Sequence, residues 1–432
     1  MLEIQKKLSN SFYAILSLPA TAMGFALSVQ ISSLSWILIT KYNLDLHQMG
    51  VVWAAGPIAG LIAQPIVGFL SDKVWFWGGR RRPFIIIGGI LASLMLLALP
   101  NIDVVNSALG LDSLMGVAMV IALTLDLSIN VSFNPTRSLI ADVTPEGDPR
   151  TKGYTWMQTI SGTFGVLAYA IGAIWGNYFL IYFGSFLVLL LTIFPSFIIE
   201  EKKDIETKKD EFDDTTDDLN DIPKTNVAEY LKVNFANAFS WLGVQTMFVF
   251  IIAFISQKIN PTPDGLAPDK LAAINDKTGQ IISISFLLLN AVGAILPKFV
   301  LQPIAEKYGR VKTQAGSVAI MSLAYFGMAF MARTEIELYA FMIIAGIGWA
   351  AIVSLPFAIM SETVNKARMG LFMGLFNLSI VIPQLIVSWY FGKIIQSASD
   401  KEIVFLISGV SLLLSAIFWM IVKEGKTEKE LS

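Results

Sequence analysis

The sequence predicts an all-α integral membrane protein whose twelve transmembrane helices form two halves of six. Of its 432 residues, 55% are hydrophobic and only 15% are charged, whereas soluble domains are about half apolar and about a quarter charged. The chain also contains twelve apolar stretches of spanning length, and a charged segment lies at its middle. The excess of apolar side chains therefore calls for a lipid environment.

A helix needs about 20 apolar residues to cross the hydrocarbon core of a membrane. Stretches of that length begin near Ser11, Met49, Phe84, Ser113, Met157, Tyr178, Leu231, Gly279, Thr313, Ile336, Gly370 and Glu402. Between the sixth and the seventh, the stretch from Glu200 to Glu229 is too polar to supply a core. We predict an N-terminal half at residues 1–200, a charged cytoplasmic linker at 201–229 and a C-terminal half at 230–432. An outer loop is expected from Gln257 to Gly279.

The distribution of basic residues predicts the orientation. Cytoplasmic loops of membrane proteins retain Lys and Arg, and most of the 31 such residues fall in alternate loops, starting at the N-terminus. The loop from Asn101 to Asp112 has none. We therefore expect a multi-pass protein of the inner or plasma membrane with both termini in the cytoplasm.

Several function classes are disfavoured by composition. Cysteine is absent and His47 is the single histidine, which removes thiolate catalysis and histidine-rich or cysteine-rich metal sites. A net charge of -2 gives no basic surface for nucleic acid. No nucleophile has a base in reach and no phosphate-binding glycine loop is present. We expect no enzyme, no cofactor, no metal and no ATP-driven transport.

Asp126 is the main candidate for a functional residue. It lies in an apolar span, where an ionisable group costs several kcal/mol. At 100° per residue, Asp126, Asn130 and Arg137 lie within about 40° of one another, and Phe133 borders the same face. Arg137 is roughly 16 Å further along the axis, too far for a direct ion pair. Burial disfavours the ionised carboxylate, so Asp126 could bind and release a proton.

Two alternatives remain open for Asp126. The carboxyl could be a structural group held by a hydroxyl or amide of a neighbouring helix. It could also coordinate sodium, for which Asn130, Ser128 and Gln30 could supply further oxygen ligands.

Amides and aromatic residues recur in the other spans, as a neutral, hydroxyl-rich substrate would require. Amides can equally join helices to one another, and aromatic residues are common at membrane interfaces and in cores. Asn290 and Trp349 also belong to these two groups. The candidate substrate-binding residues are Gln30, Trp53, Gln64, Asn130, Gln158, Trp241, Gln245, Asn377 and Gln384.

A related loop follows the second span of each half. The first reads GFLSDKVWFWGGRRRPF from Gly68 and the second LQPIAEKYGRVK from Leu301. Each contains an acid, a short turn and then Gly-Arg, which could lock helices in one conformation and release them in another; positive-inside anchoring is the alternative. The loops resemble the signature of the major facilitator superfamily, whose two six-helix halves rock about a central site. The candidate gating residues are Asp72, Arg80, Arg81, Glu306 and Arg310.

Longer segments resemble one branch of that superfamily, the sucrose-carrier-like glycoside and cation symporters. They include VVWAAGPIAGLIAQPIVGFLSDKVWFWGGRRRPFIIIG from Val51, the pattern from Asp126 to Asp142, and FSWLGVQTMFVF from Phe239. The resemblance implies that Asp126 is the proton-binding aspartate and Arg137 its partner. It departs at Phe133 and Asn134, where plant-type members have glutamine and glycine.

We therefore expect a secondary active transporter that works by alternating access. It would import a neutral sugar, a glycoside or disaccharide such as maltose or sucrose, by proton-coupled symport, with sodium not excluded, and would function as a monomer. An exporter of sugars or drugs on the same fold and a non-transporting membrane sensor are the alternatives.

Overall fold

The computed structural model describes residues 3–110, 113–145, 148–201, 226–263, 265–364 and 369–423. Within these ranges every regular element is helical, and the only strand-like pairing is an isolated bridge between Phe76 and Gly79. Twelve helical segments of the described chain are long and apolar enough to cross a membrane. The predicted all-helical class and number of spans are confirmed.

The chain divides into two compact units. The first comprises residues 1–44 and 51–214, and the second comprises residues 45–50 and 215–432. The predicted linker at 201–229 falls largely on residues 202–225, which lie outside the described part of the chain. The bounds given above for the linker and the two halves therefore stay a prediction.

The first unit contains a short N-terminal helix and, apart from the start of the second span, the first six spans. Its helices are α1 (Glu3–Lys6), α2 (Asn10–Thr40), α3 (Leu46–Trp53), α4 (Ala55–Lys73), α5 (Arg82–Ala98), α6 (Ile102–Leu109), α7 (Leu114–Val143), α8 (Asp148–Trp175) and α9 (Asn177–Ile198). The second span consists of α3 and α4. The first part of α3, to Gly50, is assigned to the second unit.

Hydroxyl groups cap the long helices that carry the site. The Ser9 hydroxyl accepts a hydrogen bond from the Phe12 N–H at 3.2 Å and begins α2. Ser113 does the same for Gly116 at 3.0 Å and begins α7. Such caps satisfy N–H groups that the first helical turn leaves without a partner.

Two adjacent glycines bring α5 close to its neighbours. A Cβ at Gly88 would lie 2.7 Å from the backbone oxygen of Ser128 on α7, and a Cβ at Gly89 would overlap Thr192 on α9. Small residues allow this close approach of helices in a membrane. The contact at Ser128 holds α7 two residues beyond Asp126.

The second unit contains the last six spans. Its helices are α10 (Val227–Phe254), α11 (Pro268–Leu296), α12 (Gln302–Tyr308), α13 (Arg310–Met331), α14 (Glu335–Thr363), α15 (Met369–Ile386), α16 (Gly392–Ser397) and α17 (Ile403–Ile421). Three π-helical segments extend α10, α11 and α15, at Ile255–Ile259, Pro297–Leu301 and Val387–Phe391. Segments of this type often mark functional positions.

The expected outer loop from Gln257 to Gly279 is corrected by the structure. Helices occupy both of its ends, because the π-helical segment that extends α10 reaches Ile259 and α11 begins at Pro268 and continues through Gly279. Proline is favoured at the first helical position, and Asp269 complements the positive end of the helix dipole. The prediction followed hydropathy, and because this stretch is polar it was assigned to a loop although it contains residues that favour the start of a helix.

Ion pairs join three helix ends of the second unit. The Lys258 ammonium lies 2.7 Å from Asp400 and 3.0 Å from Glu402, and Glu402 also lies 2.7 Å from Arg333. The hydrogen bond from Lys258 holds the pKa of the Asp400 carboxyl below its usual value. Because Asp400 is exposed, we ascribe alignment of these ends, rather than much stability, to the network.

Candidate functional site

Asp126 is buried in the middle of α7. Its residue surface is 6% exposed, and Leu125 and Ile129 beside it are buried as well. Gly56, in the first turn of α4, faces the carboxylate, since a Cβ at that position would lie 3.4 Å from each carboxylate oxygen. The glycine leaves room for the acid between the two helices.

Gln30 of α2 is the hydrogen-bond partner of this carboxylate. Its Nε2 donates to Asp126 Oδ2 at 2.9 Å. The amide is 3% exposed, and its other atom, Oε1, has no hydrogen-bond partner among the described residues. Gln30 was predicted as a substrate ligand, whereas the structure places its side chain on the acid.

Asn130 and Arg137 extend the same face of α7. The Asn130 Nδ2 donates to the backbone oxygen of Asp126 at 2.8 Å. The Arg137 guanidinium lies over the Phe133 ring, 4.6 Å from its centre, and the Tyr154 hydroxyl donates to the Arg137 carbonyl at 3.1 Å. Asp126 and Arg137 thus have separate partners. Phe133 serves as the ring on which Arg137 stacks, which its position on the helix face alone did not indicate.

The remaining candidates of the first unit are not gathered around Asp126 by any described hydrogen bond. Trp53 donates its indole N–H to the Ser35 hydroxyl at 2.8 Å. Gln158 is exposed on α8. The side chain of Gln64 lies outside the described part of the structure.

In the second unit, two pairs of the predicted polar and aromatic residues are brought together. Gln384 Nε2 lies 3.3 Å from Gln245 Oε1, so these two amides form one pair between α15 and α10. Trp241 packs edge-on against Trp349, with ring centres 6.1 Å apart. Asn377 of α15 is half-buried.

Trp349 is held by more than its aromatic neighbour. Its indole N–H donates to Asn290 Oδ1 at 3.1 Å, and a Cβ at Gly293 would lie 2.7 Å from the indole ring. Asn290 and Gly293 lie one turn apart on α11 and both meet the edge of the indole that carries its N–H, so they hold the ring against this helix. The sequence placed Trp349 among the aromatic residues of the spans, but Asn290 and Gly293 are 59 and 56 positions away and no local pattern identifies them as its partners.

The arginines of the repeated loops pair with acids that were not predicted. Arg80 and Arg81 bind Asp142, at 2.9 and 3.1 Å, near the end of α7. In the second unit Arg310 pairs with Glu362, near the end of α14. Each acid ends the fourth span of its set of six, in the sequences SLIAD and AIMSE, so this repetition was the available signal.

Glu306, one of the two acids expected to lock these loops, has a partner on its own helix. The Glu306 carboxylate accepts a hydrogen bond from Gln302 one turn earlier at 3.0 Å. The Asp72 side chain lies outside the described part of the structure. Among the described residues, the acids that form ion pairs with the loop arginines are thus Asp142 and Glu362.

The side chain of Glu201 binds backbone N–H groups of the loop that carries Arg80 and Arg81. Its carboxylate accepts hydrogen bonds from three successive N–H groups, those of Arg80 and Arg81 at 2.8 Å each and of Arg82 at 2.7 Å. These groups precede or begin α5 and would otherwise lack a partner. The carboxylate also complements the positive end of the helix dipole, so Glu201 fastens the chain after α9 to the start of α5.

Comparison with known proteins identifies the chain's relatives. The chain is 26% identical to the sucrose transport protein SUC4 of Arabidopsis thaliana, over 85% of this chain and 81% of that protein. It is 26% identical to the sucrose transport protein SUT2 of Oryza sativa subsp. indica, over 85% and 84%. The general alpha-glucoside permease of Schizosaccharomyces pombe is 30% identical over 38% of this chain and 31% of its own length.

Solved structures share the fold at low sequence identity. The nucleoside transporter NupG matches with a TM-score of 0.69 at 13% identity, and the match covers 96% of this chain and 99% of its own. The xylose transporter XylE from E. coli, in an inward open conformation, matches with a TM-score of 0.69 at 15% identity over 98% of both chains. These matches concern the fold alone.

The family model of the major facilitator superfamily matches residues 16–388 and again residues 235–432. Twelve candidate spans in the described residues and this family match make the chain a multi-pass membrane protein of a transporter family. It is distantly related to plant sucrose transporters and a yeast glucoside permease. The chain belongs to the major facilitator superfamily.

Proposed function

We propose that the protein imports a neutral glycoside together with protons, using Asp126 as the proton-binding group. The observation that carries the proposal is that this carboxylate is buried in a membrane span beside a neutral amide. No cation of the described residues forms an ion pair with it. A buried, uncompensated charge is costly, and binding a proton removes that cost.

Cyclic protonation can couple this group to transport. If Asp126 is exposed in turn to the two sides of the membrane, it binds a proton on one side and releases it on the other. The family's two-unit architecture supports alternating access of this kind. One charge moving down 100 mV supplies about 2.3 kcal/mol, and a tenfold proton gradient adds about 1.4 kcal/mol. Together they can concentrate a neutral sugar several hundredfold.

The substrate class rests on the relatives and on polar groups of the second unit. Two relatives are named as sucrose transport proteins and one as an alpha-glucoside permease. The paired amides Gln245 and Gln384 and the aromatic pair Trp241 and Trp349 suit a ligand with many hydroxyls and an apolar ring face. We propose a disaccharide such as sucrose or maltose. These four residues, with Asn377, would contribute to its binding.

Orientation and location follow from the basic loops. Lys and Arg are retained on the cytoplasmic side, so we propose that the loops of Arg80 and Arg310 face the cytoplasm together with both termini. The protein would lie in the inner or plasma membrane and act as a monomer. The loop pairs with Asp142 and Glu362 would then break and re-form during the cycle.

The test is sugar-evoked proton uptake by the purified protein in liposomes that enclose a pH-sensitive dye. We expect sucrose, maltose or another neutral disaccharide, added outside, to acidify the lumen, and replacement of sodium by choline to have no effect. Uptake of labelled sugar that depends on sodium but not on the proton gradient would contradict the proposed coupling ion. Absence of sugar-evoked proton movement across the panel would contradict the proposed function.

A further inference from the structure

The amide of Gln30 offers two different atoms to the Asp126 carboxyl, and only one of them is in use. Nε2 donates to Oδ2 at 2.9 Å, whereas the buried Oε1 lacks a partner among the described residues. A buried acceptor without a donor is costly. At this contact the carboxylate accepts one hydrogen bond, whereas the amide has only one of its two polar atoms in use.

An amide can reverse these two atoms without changing its shape. A half-turn about the last side-chain bond of Gln30 would bring Oε1 to the place of Nε2. Oε1 is an acceptor, so it would face Oδ2 favourably only if that oxygen carried a proton. A separation of 2.9 Å suits both an N–H···O and an O–H···O hydrogen bond.

We propose that the Gln30 amide reverses with each protonation of Asp126, which makes Gln30 a positioning residue of the proton site. When a proton binds to an oxygen of the carboxylate, the new O–H donates to Gln30 Oε1. When the proton leaves, Nε2 donates to the carboxylate again. Either state of the acid is then hydrogen-bonded inside the membrane. This inference rests on the proposed function and adds a second residue to its coupling site.

Among the described residues, Gln30 is the side chain that is hydrogen-bonded to the Asp126 carboxyl. The groups described against the carboxylate are the neutral Gln30 on α2 and the backbone of Gly56 on α4. The described ionisable side chains of α7 and of the helices packed against it have other partners. Arg137 stacks on Phe133, Asp142 binds Arg80 and Arg81, and Arg82 binds the Ile199 carbonyl. Lys152 lies over Tyr13, Tyr154 binds the Arg137 carbonyl, Tyr169 is hydrogen-bonded to Ser28, and Asp103 binds Tyr42.

Infrared difference spectroscopy between low and high pH tests the reversal directly, with no need for transport. We expect the wild-type spectrum to contain a change of a glutamine side-chain carbonyl band, because Oε1 gains a donor when Asp126 is protonated. This change should be absent from both Gln30→Leu and Asp126→Asn. A wild-type spectrum without it would show that the amide keeps one orientation, and would overturn the proposal.

Transport measurements supply the second readout. In Gln30→Leu the ionised acid loses a charge-assisted bond, which is stronger than the neutral one lost by the protonated acid. The pH at which sugar-evoked proton uptake falls to half its maximum should therefore rise, by about one pH unit or tenfold in apparent proton affinity. The KM for sugar should stay within about twofold, since no sugar contact is lost.

The controls separate the other roles that Gln30 could have. Gln314 of α13 is also fully buried, and neither of its amide atoms has a partner among the described residues, so Gln314→Leu measures the cost of the substitution itself. A raised KM with an unchanged pH profile in Gln30→Leu would make Gln30 a sugar ligand. Lower thermal stability with an unchanged pH profile would make it structural. Either result would overturn the proposal.

Two further measurements cover the cases in which a variant fails to fold or the wild-type protein moves no protons. If Gln30→Leu fails to fold, Gln30→Asn, which keeps the amide on a shorter side chain, should show a smaller or shifted carbonyl band. If the wild-type protein moves no protons with any sugar, the proposed function fails, while the infrared bands still decide whether Gln30 follows the protonation of Asp126.

Discussion

Gly56 lies so close to Asp126 that a Cβ at position 56 would touch both carboxylate oxygens at 3.4 Å. The absence of a side chain on α4 is thus part of the environment of the acid on α7. Gly60, one turn later, has nothing within 4 Å of its own Cβ position. The two glycines therefore allow a matched test of this environment.

We expect Gly56→Ala to fold, because 3.4 Å is an ordinary van der Waals contact. The added methyl group surrounds the carboxylate with more apolar volume and disfavours its ionised form. The pH at half-maximal sugar-evoked proton uptake should rise by roughly half a pH unit, while Gly60→Ala leaves it unchanged. Equal pH profiles for the two variants would show that Gly56 does not influence the acid.

The stacking of Arg137 on Phe133 should be measurable as a coupling between the two side chains. A cation over an aromatic ring contributes about 0.5–1 kcal/mol at an exposed site. In a double-mutant cycle with Arg137→Gln and Phe133→Leu, unfolding free energies measured in detergent should show a coupling of that size. Strict additivity would mean that the 4.6 Å contact has no energetic weight.

The hydrogen bonds from the arginine loop to the Glu201 carboxylate should stabilise the first unit. Removing the carboxylate in Glu201→Ala leaves three N–H groups without their acceptor, and we expect a loss of about 1–3 kcal/mol in unfolding free energy. Glu201→Gln, which keeps one carbonyl oxygen as an acceptor, should lose less.

Gly79 provides an independent check of the contact between Glu201 and the arginine loop. A Cβ at Gly79 would overlap the Glu201 carboxylate, so Gly79→Ala should lower the thermal unfolding temperature. The same substitution should cost less when Glu201 is already alanine. Gly162→Ala, whose Cβ meets nothing within 4 Å, is the control. An equal cost of Gly79→Ala in both backgrounds would contradict the contact.

Trp349 should affect sugar affinity more than stability. If its ring stacks on the sugar, Trp349→Leu should raise the KM by roughly threefold to tenfold, as expected from about 0.5–1.5 kcal/mol for an aromatic contact. Trp349→Phe keeps a ring but loses the bond to Asn290, and its effect should be intermediate. Trp175→Leu, at an exposed position, should leave the KM unchanged. A KM for Trp349→Leu equal to that of the wild type would remove this residue from the sugar site.

Much of the fold was predictable because membrane spans are encoded locally. About 20 consecutive apolar residues define a span wherever they occur, and the isolated Asp126 is conspicuous within such a run. The start of α11 at Pro268 was missed because its first turns are polar. Hydropathy therefore marks where a helix crosses the apolar layer, not where the helix begins.

The partners within the site were not predictable in the same way. Gln30 and Asp126 are 96 positions apart, and their side chains meet only after the helices pack. Spacing along one helix placed Asn130 and Arg137 on the face of Asp126, but no periodicity relates α2 or α4 to α7. The acids Asp142 and Glu362 could have been paired with the loop arginines only by noticing that both end the fourth span of their set.

Asp126→Asn tests the central claim most directly, with Asp269→Asn, at an exposed position on α11, as the control. Liposomes containing each variant are given an inward proton gradient, and accumulation of labelled disaccharide is compared with exchange of labelled for unlabelled sugar at no gradient. We expect Asp126→Asn to lose gradient-driven accumulation and to retain exchange, because asparagine resembles the neutral acid but cannot release a proton. Accumulation at the wild-type level by Asp126→Asn would contradict the assignment of the coupling site.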